Sequence, residues 1–324
     1  MNPNSYLIKN ILKPELKPIR DGYGEGLILA GEKNKDVVVL CADLTESTRS
    51  QAFQKKFPER FVELGVAEQN MASVAAGMAL AGKIPFISSY AVFSPGRNNE
   101  QIRTTIAYNE ANVKIAGAHA GISVGPDGAT HQALEDIGLM RMLPGMTVVV
   151  PCDAVEAKKA TVAAAELAGP VYLRFGREKT PLFTTDHTPF KIGQAEVFKE
   201  GKDVVIFVCG SLIYNSLMAA LDLEKEKISV VVINVHTVKP LDKDIILKYA
   251  DKTKAVVTVE EHQIHGGLGG AIAELLSREL PIPMEFIGVH DSFGESGQPE
   301  ELIKKYGMDV ESIKKAVVKV ISRK

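Results

Sequence analysis

Tryptophan is absent from this 324-residue chain and cysteine is scarce, with three residues. Cys41, Cys152 and Cys209 each lie at or near the end of a β-like apolar run, and no pair has metal-ligand spacing. Nothing suggests a disulfide framework, so they read as reduced core thiols of a cytoplasmic protein. No apolar run approaches the roughly 18 residues that a membrane span needs. The opening Met1-Asn-Pro-Asn-Ser-Tyr6 lacks the basic-then-apolar pattern of a secretory signal. Nor does one sign of charge dominate: 38 Lys and Arg against 40 Asp and Glu leave a formal net charge of −2. That removes any electrostatic case for nucleic acid or an anionic membrane as a partner.

The common nucleotide motifs are missing too. There is no Gly-x-x-x-x-Gly-Lys-Ser/Thr loop for a nucleoside triphosphate. Gly22-Tyr-Gly-Glu-Gly26 has no preceding strand and lacks the third glycine of a dinucleotide fingerprint. His265-Gly-Gly-Leu-Gly-Gly270 follows a strand and opens a helix, but a polar Glu260-Glu-His-Gln263 insert parts the strand from the glycines. The tight turn that sets a pyrophosphate on a helix end is therefore missing. His262 and His265 in this stretch read as a solvated loop pair.

What is present is an ordinary globular composition, 45% hydrophobic and 24% charged. The length suggests two domains, since single cores rarely grow past about 250–300 residues. After an N-terminal arm (1–17), apolar runs at 36–42, 61–64, 84–89, 113–116, 147–150 and 171–175 alternate with helical patterns near 20–33, 51–57, 68–82, 98–108, 132–142 and 154–168. Periodicity lapses across 177–192, where Pro181, Thr184, Thr185, Asp186, Thr188 and Pro189 crowd together, and the linker is placed at 179–191. Beyond it, strands at 204–208, 230–235, 255–259 and 285–289 alternate with helices near 212–221, 242–249, 269–279 and 310–322. The reading is an α/β protein of two domains, 18–178 and 192–324, each a mostly parallel sheet with helices on both faces.

Chemistry-bearing residues gather on the loops of the first domain. Glu68 stands where a short strand turns at Gly65 and enters an Ala/Met/Val-rich helix, which sets it at the carboxyl edge of the sheet, where open α/β folds bind ligands. The helix's positive end favours its charged form and burial against a ligand favours the neutral one, so such a group can pass a proton to and from a bound heterocycle. The plainer reading is that it complements the helix dipole. Loops on the same edge carry Asp43 and Ser47, then Tyr90 and Phe93, then His119, Asp127 and His131, with Arg174 and Arg177 after the last strand. Polar groups on loops above a rigid sheet are the usual layout of an active site. Taken singly, the histidines could be bonded to backbone, the aromatics could belong to the core, and Arg177 could pair with Glu178. His119, Asp127 and His131 match no compact metal-ligand motif.

Glu68 within Gly65-Val-Ala-Glu-Gln-Asn-Met71, taken with Gly121-Ile-Ser-Val-Gly-Pro-Asp-Gly-Ala-Thr-His-Gln132 and Leu143-Pro-Gly-Met146, resembles the transketolase family of thiamine-diphosphate enzymes. The resemblance spans nearly the whole chain, with a pyrimidine-binding domain near 15–178 and a C-terminal domain near 192–324. It implies transfer of a two-carbon ketol unit from a ketose phosphate to an aldose phosphate, the reaction type of the pentose phosphate pathway, with thiamine diphosphate as cofactor. In that scheme Glu68 hydrogen-bonds the pyrimidine nitrogen and activates the cofactor, Phe93 and Tyr90 pack on the pyrimidine, and Asp43 lies near it. Arg20, Ser47, His119 and Arg177 match the sugar-phosphate pocket, where guanidinium forks with imidazole and hydroxyl donors suit a phosphate. Asp127 and His131 match groups that bind donor hydroxyls, His131 also assisting proton transfer. Arg174 remains an alternative phosphate ligand.

The family's Gly-Asp-Gly stretch, which holds the diphosphate through a divalent metal (Mg2+ or Ca2+), is missing; Pro126-Asp127-Gly128 lies in a different loop. The resemblance thus implies the C-terminal subunit of a split transketolase. It would be inert alone and completed by an N-terminal subunit that carries the metal and diphosphate site, in a heterotetramer with two copies of each chain. Three alternatives stay open. A 1-deoxyxylulose-5-phosphate synthase usually has Asp-Arg-Ala-Gly where this chain has Ala118-His-Ala-Gly121. The β subunit of thiamine-dependent 2-oxoacid dehydrogenases generally lacks the Pro-Asp-Gly-Ala-Thr-His loop. A subunit could also keep the fold only for assembly.

Overall fold

The computed structural model describes residues 6–324, so the first five residues of the expected arm lie outside it. In chain order the first half holds β1 (Glu15–Pro18), β2 (Val37–Cys41), β3 (Phe61–Glu63), β4 (Ile84–Tyr90), β5 (Lys114–Ala118), β6 (Thr147–Val149) and β7 (Val171–Arg174). The rest holds β8 (Lys179–Leu182), β9 (Glu196–Lys199), β10 (Val204–Val208), β11 (Val230–Asn234), β12 (Thr237–Lys239), β13 (Val256–Gln263) and β14 (Met284–Val289). Val-rich β2, β10 and β11 are buried at every residue. Continuous apolar runs are what a sheet covered by helices on both faces requires.

Two sheets result. The larger has the order β12-β6-β7-β5-β4-β2-β3 and the smaller β14-β13-β10-β11-β9, each parallel except for its β12 or β9 edge. The α/β architecture with two mostly parallel sheets is the one the alternating pattern predicts. Helices Ile19–Lys33 and Ala154–Glu166 cross on one face of the larger sheet at very short range. A Cβ at Gly22 would lie 1.8 Å from the Ala154 carbonyl oxygen. The Gly22-Tyr-Gly-Glu-Gly26 run therefore serves helix packing, not a ligand.

Several elements differ from the sequence pattern. The arm and the linker each contribute a strand, because β1 and β8 pair antiparallel, Glu15 opposite Leu182 and Pro18 opposite Lys179. Pairing satisfies backbone groups that neither segment could satisfy alone, and hydropathy does not reveal it. Strand β12 leaves the second half of the chain to join β6 of the larger sheet. The helix expected over 132–142 is confined to Asp136–Arg141, and the one expected over 98–108 becomes a single turn, Asn99–Gln101, followed by the π-helical Ile102–Ala107. The polar Glu260–Gln263 stretch is the end of β13 and not an insert.

Candidate active site

Strands β7, β5, β4, β2 and β3 are parallel neighbours, so the loops that follow them leave one edge together. Glu68 is the first residue of helix Glu68–Leu80 and is 2% exposed. Its Oε2 accepts from Arg97 Nη1 at 2.6 Å, and its carbonyl accepts from Asn98 Nδ2 at 3.0 Å. The same Arg97 guanidinium lies 4.5 Å from the centre of the Phe93 ring. Phe93 and Tyr90 are stacked with ring centres 5.9 Å apart, and Tyr90 stacks on His119 at 3.8 Å. His131 meets Phe93 edge-on at 5.4 Å. A buried carboxylate and an aromatic wall thus share one rim, which suits a flat, nitrogen-bearing ring.

The other end of the rim is cationic. Arg20 Nη1 donates to the Ser47 carbonyl at 2.9 Å and contacts His119 Nε2 at 3.3 Å. Arg177 donates to the Val124 carbonyl at 3.0 Å and to Asp127 at 3.2 Å, and Arg49 is held by Asp21 at 2.7 Å. Burial, reinforced by Arg20, Arg177, Arg49 and His131, pushes the His119 imidazole down to about 3. It is therefore neutral at physiological pH. A guanidinium can only donate, so His119 Nε2 must be the acceptor and the ring proton resides on Nδ1. That Nδ1 is buried with no hydrogen-bond partner among the described residues, as is Arg20 Nε. Two orphaned donors among three guanidiniums form an arrangement that an oxyanion completes. Asp43, Arg49 and His119 on these loops have φ of 59°, 67° and 54°, three of the seven non-glycine residues with positive φ among the described residues. Non-glycine residues in the left-handed region collect at functional sites.

The structure thus brings together Glu68, Tyr90, Phe93, His119 and His131, and beside them Arg20, Asp127 and Arg177. Ser47 enters through its carbonyl. Asp43 is exposed, and its N–H donates to Glu63 at 2.7 Å. Arg174 is not on the rim. It is 4% exposed, paired with Asp136 at 2.9 Å and donating to the Glu261 carbonyl at 2.7 Å. Sequence alone left the two arginines open, because both flank one strand end; the inward-facing one is spent on a buried pair. His262 is likewise not solvated. It is 1% exposed on β13, where its Nε2 accepts the Gly138 N–H at 3.3 Å. The glycines after it approach Glu260, whose carboxylate accepts from the N–H groups of Leu268 and Gly269 at 2.7 and 2.8 Å. A Cβ at Gly267 would sit 2.0 Å from that carboxylate. The helix end that a nucleotide phosphate would need is already occupied by this carboxyl group.

Arg97, Asn98 and Arg49 were missed in the sequence. Arg49 lies two residues beyond Ser47 and Arg97 four beyond Phe93, a proximity that gives a weak signal at best. Among the described residues, no group of three or more His, Cys, Asp or Glu is arranged to hold a metal ion, and no helix is long and apolar enough to cross a membrane. All three cysteines are buried and free.

Comparison with known proteins matches residues 17–181 to the family description "Transketolase, pyrimidine binding domain" and residues 193–313 to "Transketolase, C-terminal domain". A putative transketolase C-terminal section from Methanocaldococcus jannaschii is 45% identical over 95% of this chain and 97% of its own length. Human transketolase is 36% identical over 98% of this chain but only 52% of its own length. A solved structure described as a split gene transketolase, inactive beta4 tetramer, superposes with a TM-score of 0.89 at 46% identity, covering 95% of this chain and 99% of that one. Two domain matches that together run from residue 17 to residue 313, and a relative of equal length at this identity, establish that the chain belongs to the transketolase family.

Proposed function

We propose that this chain is the C-terminal subunit of a thiamine-diphosphate-dependent transketolase, moving a two-carbon ketol unit from a ketose phosphate to an aldose phosphate in a cytoplasmic complex. The observation that carries this is the pairing, on one rim, of a buried carboxylate beside an aromatic face with a cluster of three guanidiniums and orphaned donors. The first suits the cofactor's pyrimidine and the second a sugar phosphate.

When bound, thiamine diphosphate supplies the electron sink that the ketol transfer requires. This chain's residues supply proton traffic and orientation. Glu68 would hydrogen-bond the pyrimidine nitrogen and pass a proton to and from it. Phe93 and Tyr90 would pack against the ring. Arg20, Arg49 and Arg177 clasp the phosphate, and the His119 Nδ1–H donates to a substrate oxygen. Because His119 is neutral it positions without adding charge. Asp127 and His131 face the donor hydroxyls, and His131 relays protons. The chain carries no Gly-Asp-Gly stretch, so the diphosphate and its Mg2+ or Ca2+ fall to an N-terminal partner subunit. Both the "C-terminal section" relative and the human enzyme of roughly twice the length support that division.

Mixing the chain with such a partner and assaying ketol transfer tests the reading. Glu68→Gln keeps the shape but loses the carboxyl proton, and is expected to cut turnover at least about 100-fold, the scale of general acid–base catalysis. Near-normal turnover in a folded variant refutes the assigned role. Pyruvate decarboxylation would favour a 2-oxoacid dehydrogenase, and condensation of pyruvate with glyceraldehyde phosphate a deoxyxylulose-phosphate synthase.

A further inference from the structure

We propose that Arg97 is a displaceable occupant of the pyrimidine site, covering in the lone chain the two surfaces that the ring must touch. The inference rests on the cofactor-site reading above and deepens it. One guanidinium meets both surfaces: Nη1 is 2.6 Å from Glu68 Oε2, and the group lies 4.5 Å from the centre of the Phe93 ring. A flat ring that hydrogen-bonds Glu68 and packs on Phe93 competes with Arg97 for the carboxylate, for the aromatic face, or for both.

The surroundings allow only the arginine side chain to yield. Glu68 is 2% exposed and opens a helix, so it cannot swing aside. The turn bearing Arg97 is pinned: Asn98 Nδ2 donates to the Glu68 carbonyl at 3.0 Å and to Ser94 Oγ at 3.1 Å, and the Arg97 N–H donates to the Phe93 carbonyl at 3.0 Å. The Arg97 side chain is 44% exposed, and Glu68 is its single hydrogen-bond partner among the described residues. Its head group can move into water with its stem in place, since long cationic side chains keep their charge solvated at little loss. The pair also shields a nearly buried carboxylate, which is costly to leave unpaired. Arg97 thus keeps the half-site stable until the ring replaces it.

The test uses the full chain alone and the neutral pyrimidine half of the cofactor, 4-amino-5-hydroxymethyl-2-methylpyrimidine, titrated by NMR. Arg97→Met retains the stem and removes the head group, and is expected to bind this probe about 5- to 20-fold more tightly than the unaltered chain. Arg97→Gln serves as a second variant, and far-ultraviolet circular dichroism checks that each is folded. Equal or weaker binding to both variants overturns the inference while leaving the cofactor site standing, and weaker binding makes Arg97 a ligand of the ring instead. Binding to neither variant nor the unaltered chain overturns the inference and the pyrimidine-site reading together.

Discussion

Arg177 offers a direct test of the cationic end of the rim. Its Nη1 is committed to the Val124 carbonyl and to Asp127, and its Nε lies 3.6 Å from Glu178, which leaves Nη2 without a hydrogen bond among the described residues. A phosphate would accept from that free nitrogen. A charge-assisted hydrogen bond is worth about 1.5–3 kcal/mol net, which at about 1.4 kcal/mol per tenfold is roughly 10- to 150-fold in affinity. Because the side chain is 32% exposed, water recovers part of the loss on truncation. The lower end, about 10- to 30-fold, is the expected rise in Michaelis constant for phosphorylated donors with Arg177→Ala. The turnover number should change little, since the contact is made in ground and transition states alike. Steady-state kinetics on the reconstituted two-subunit complex, run with a ketose phosphate and with an unphosphorylated ketol donor, separate the cases. Arg177→Lys, which keeps the charge without the planar fork, should recover only part of the loss. An equal defect with both donors, or none with the phosphorylated one, would refute the placement of the phosphate beside Arg177.

Two further outcomes concern the buried polar groups that hold the site's scaffold. Arg174→Leu strands Asp136 with only the Tyr172 hydroxyl, at 2.6 Å, as a side-chain donor among the described residues. It should cost about 3–5 kcal/mol in chemical denaturation while leaving the Michaelis constant for phosphorylated sugars unchanged in the folded fraction; the reverse pattern would return Arg174 to the phosphate site. Glu156 is buried under β11, where Asn234 Nδ2 and the Cys152 N–H donate to it at 2.6 and 2.7 Å. Burial and the neighbouring Asp153 raise its carboxyl from 4.5 to about 7. A group raised on folding stabilises fully below its unfolded value and loses that contribution as pH rises through about 7. Glu156→Gln should therefore gain stability relative to the unaltered chain between pH 5 and 8, by up to about 3 kcal/mol. Its new amide N–H can donate to Asn234 Oδ1, which has no partner among the described residues, once the Asn234 amide turns over. Parallel stability curves across that interval would show that Glu156 does not titrate there.

The sequence by itself determined the α/β class, the alternation of buried strands with helices, and the set of loops that meet at Glu68. Those properties are local or follow from local ones. Val-rich runs such as β2 and β10 declare burial on both faces, and once the strands are parallel every loop after a strand must leave by the same edge. Only the tertiary structure decided which cations face that edge. Arg97 reaches Glu68 across 29 positions, and Arg20 reaches His119 across 99. Arg174 and Arg177, three residues apart, go to opposite fates because one points into the packed junction and the other along the rim. The β1–β8 pair and the passage of β12 into the larger sheet are equally non-local. Hydrogen-bonding edges carry no periodic signature, so chain order cannot reveal which distant backbone will satisfy them.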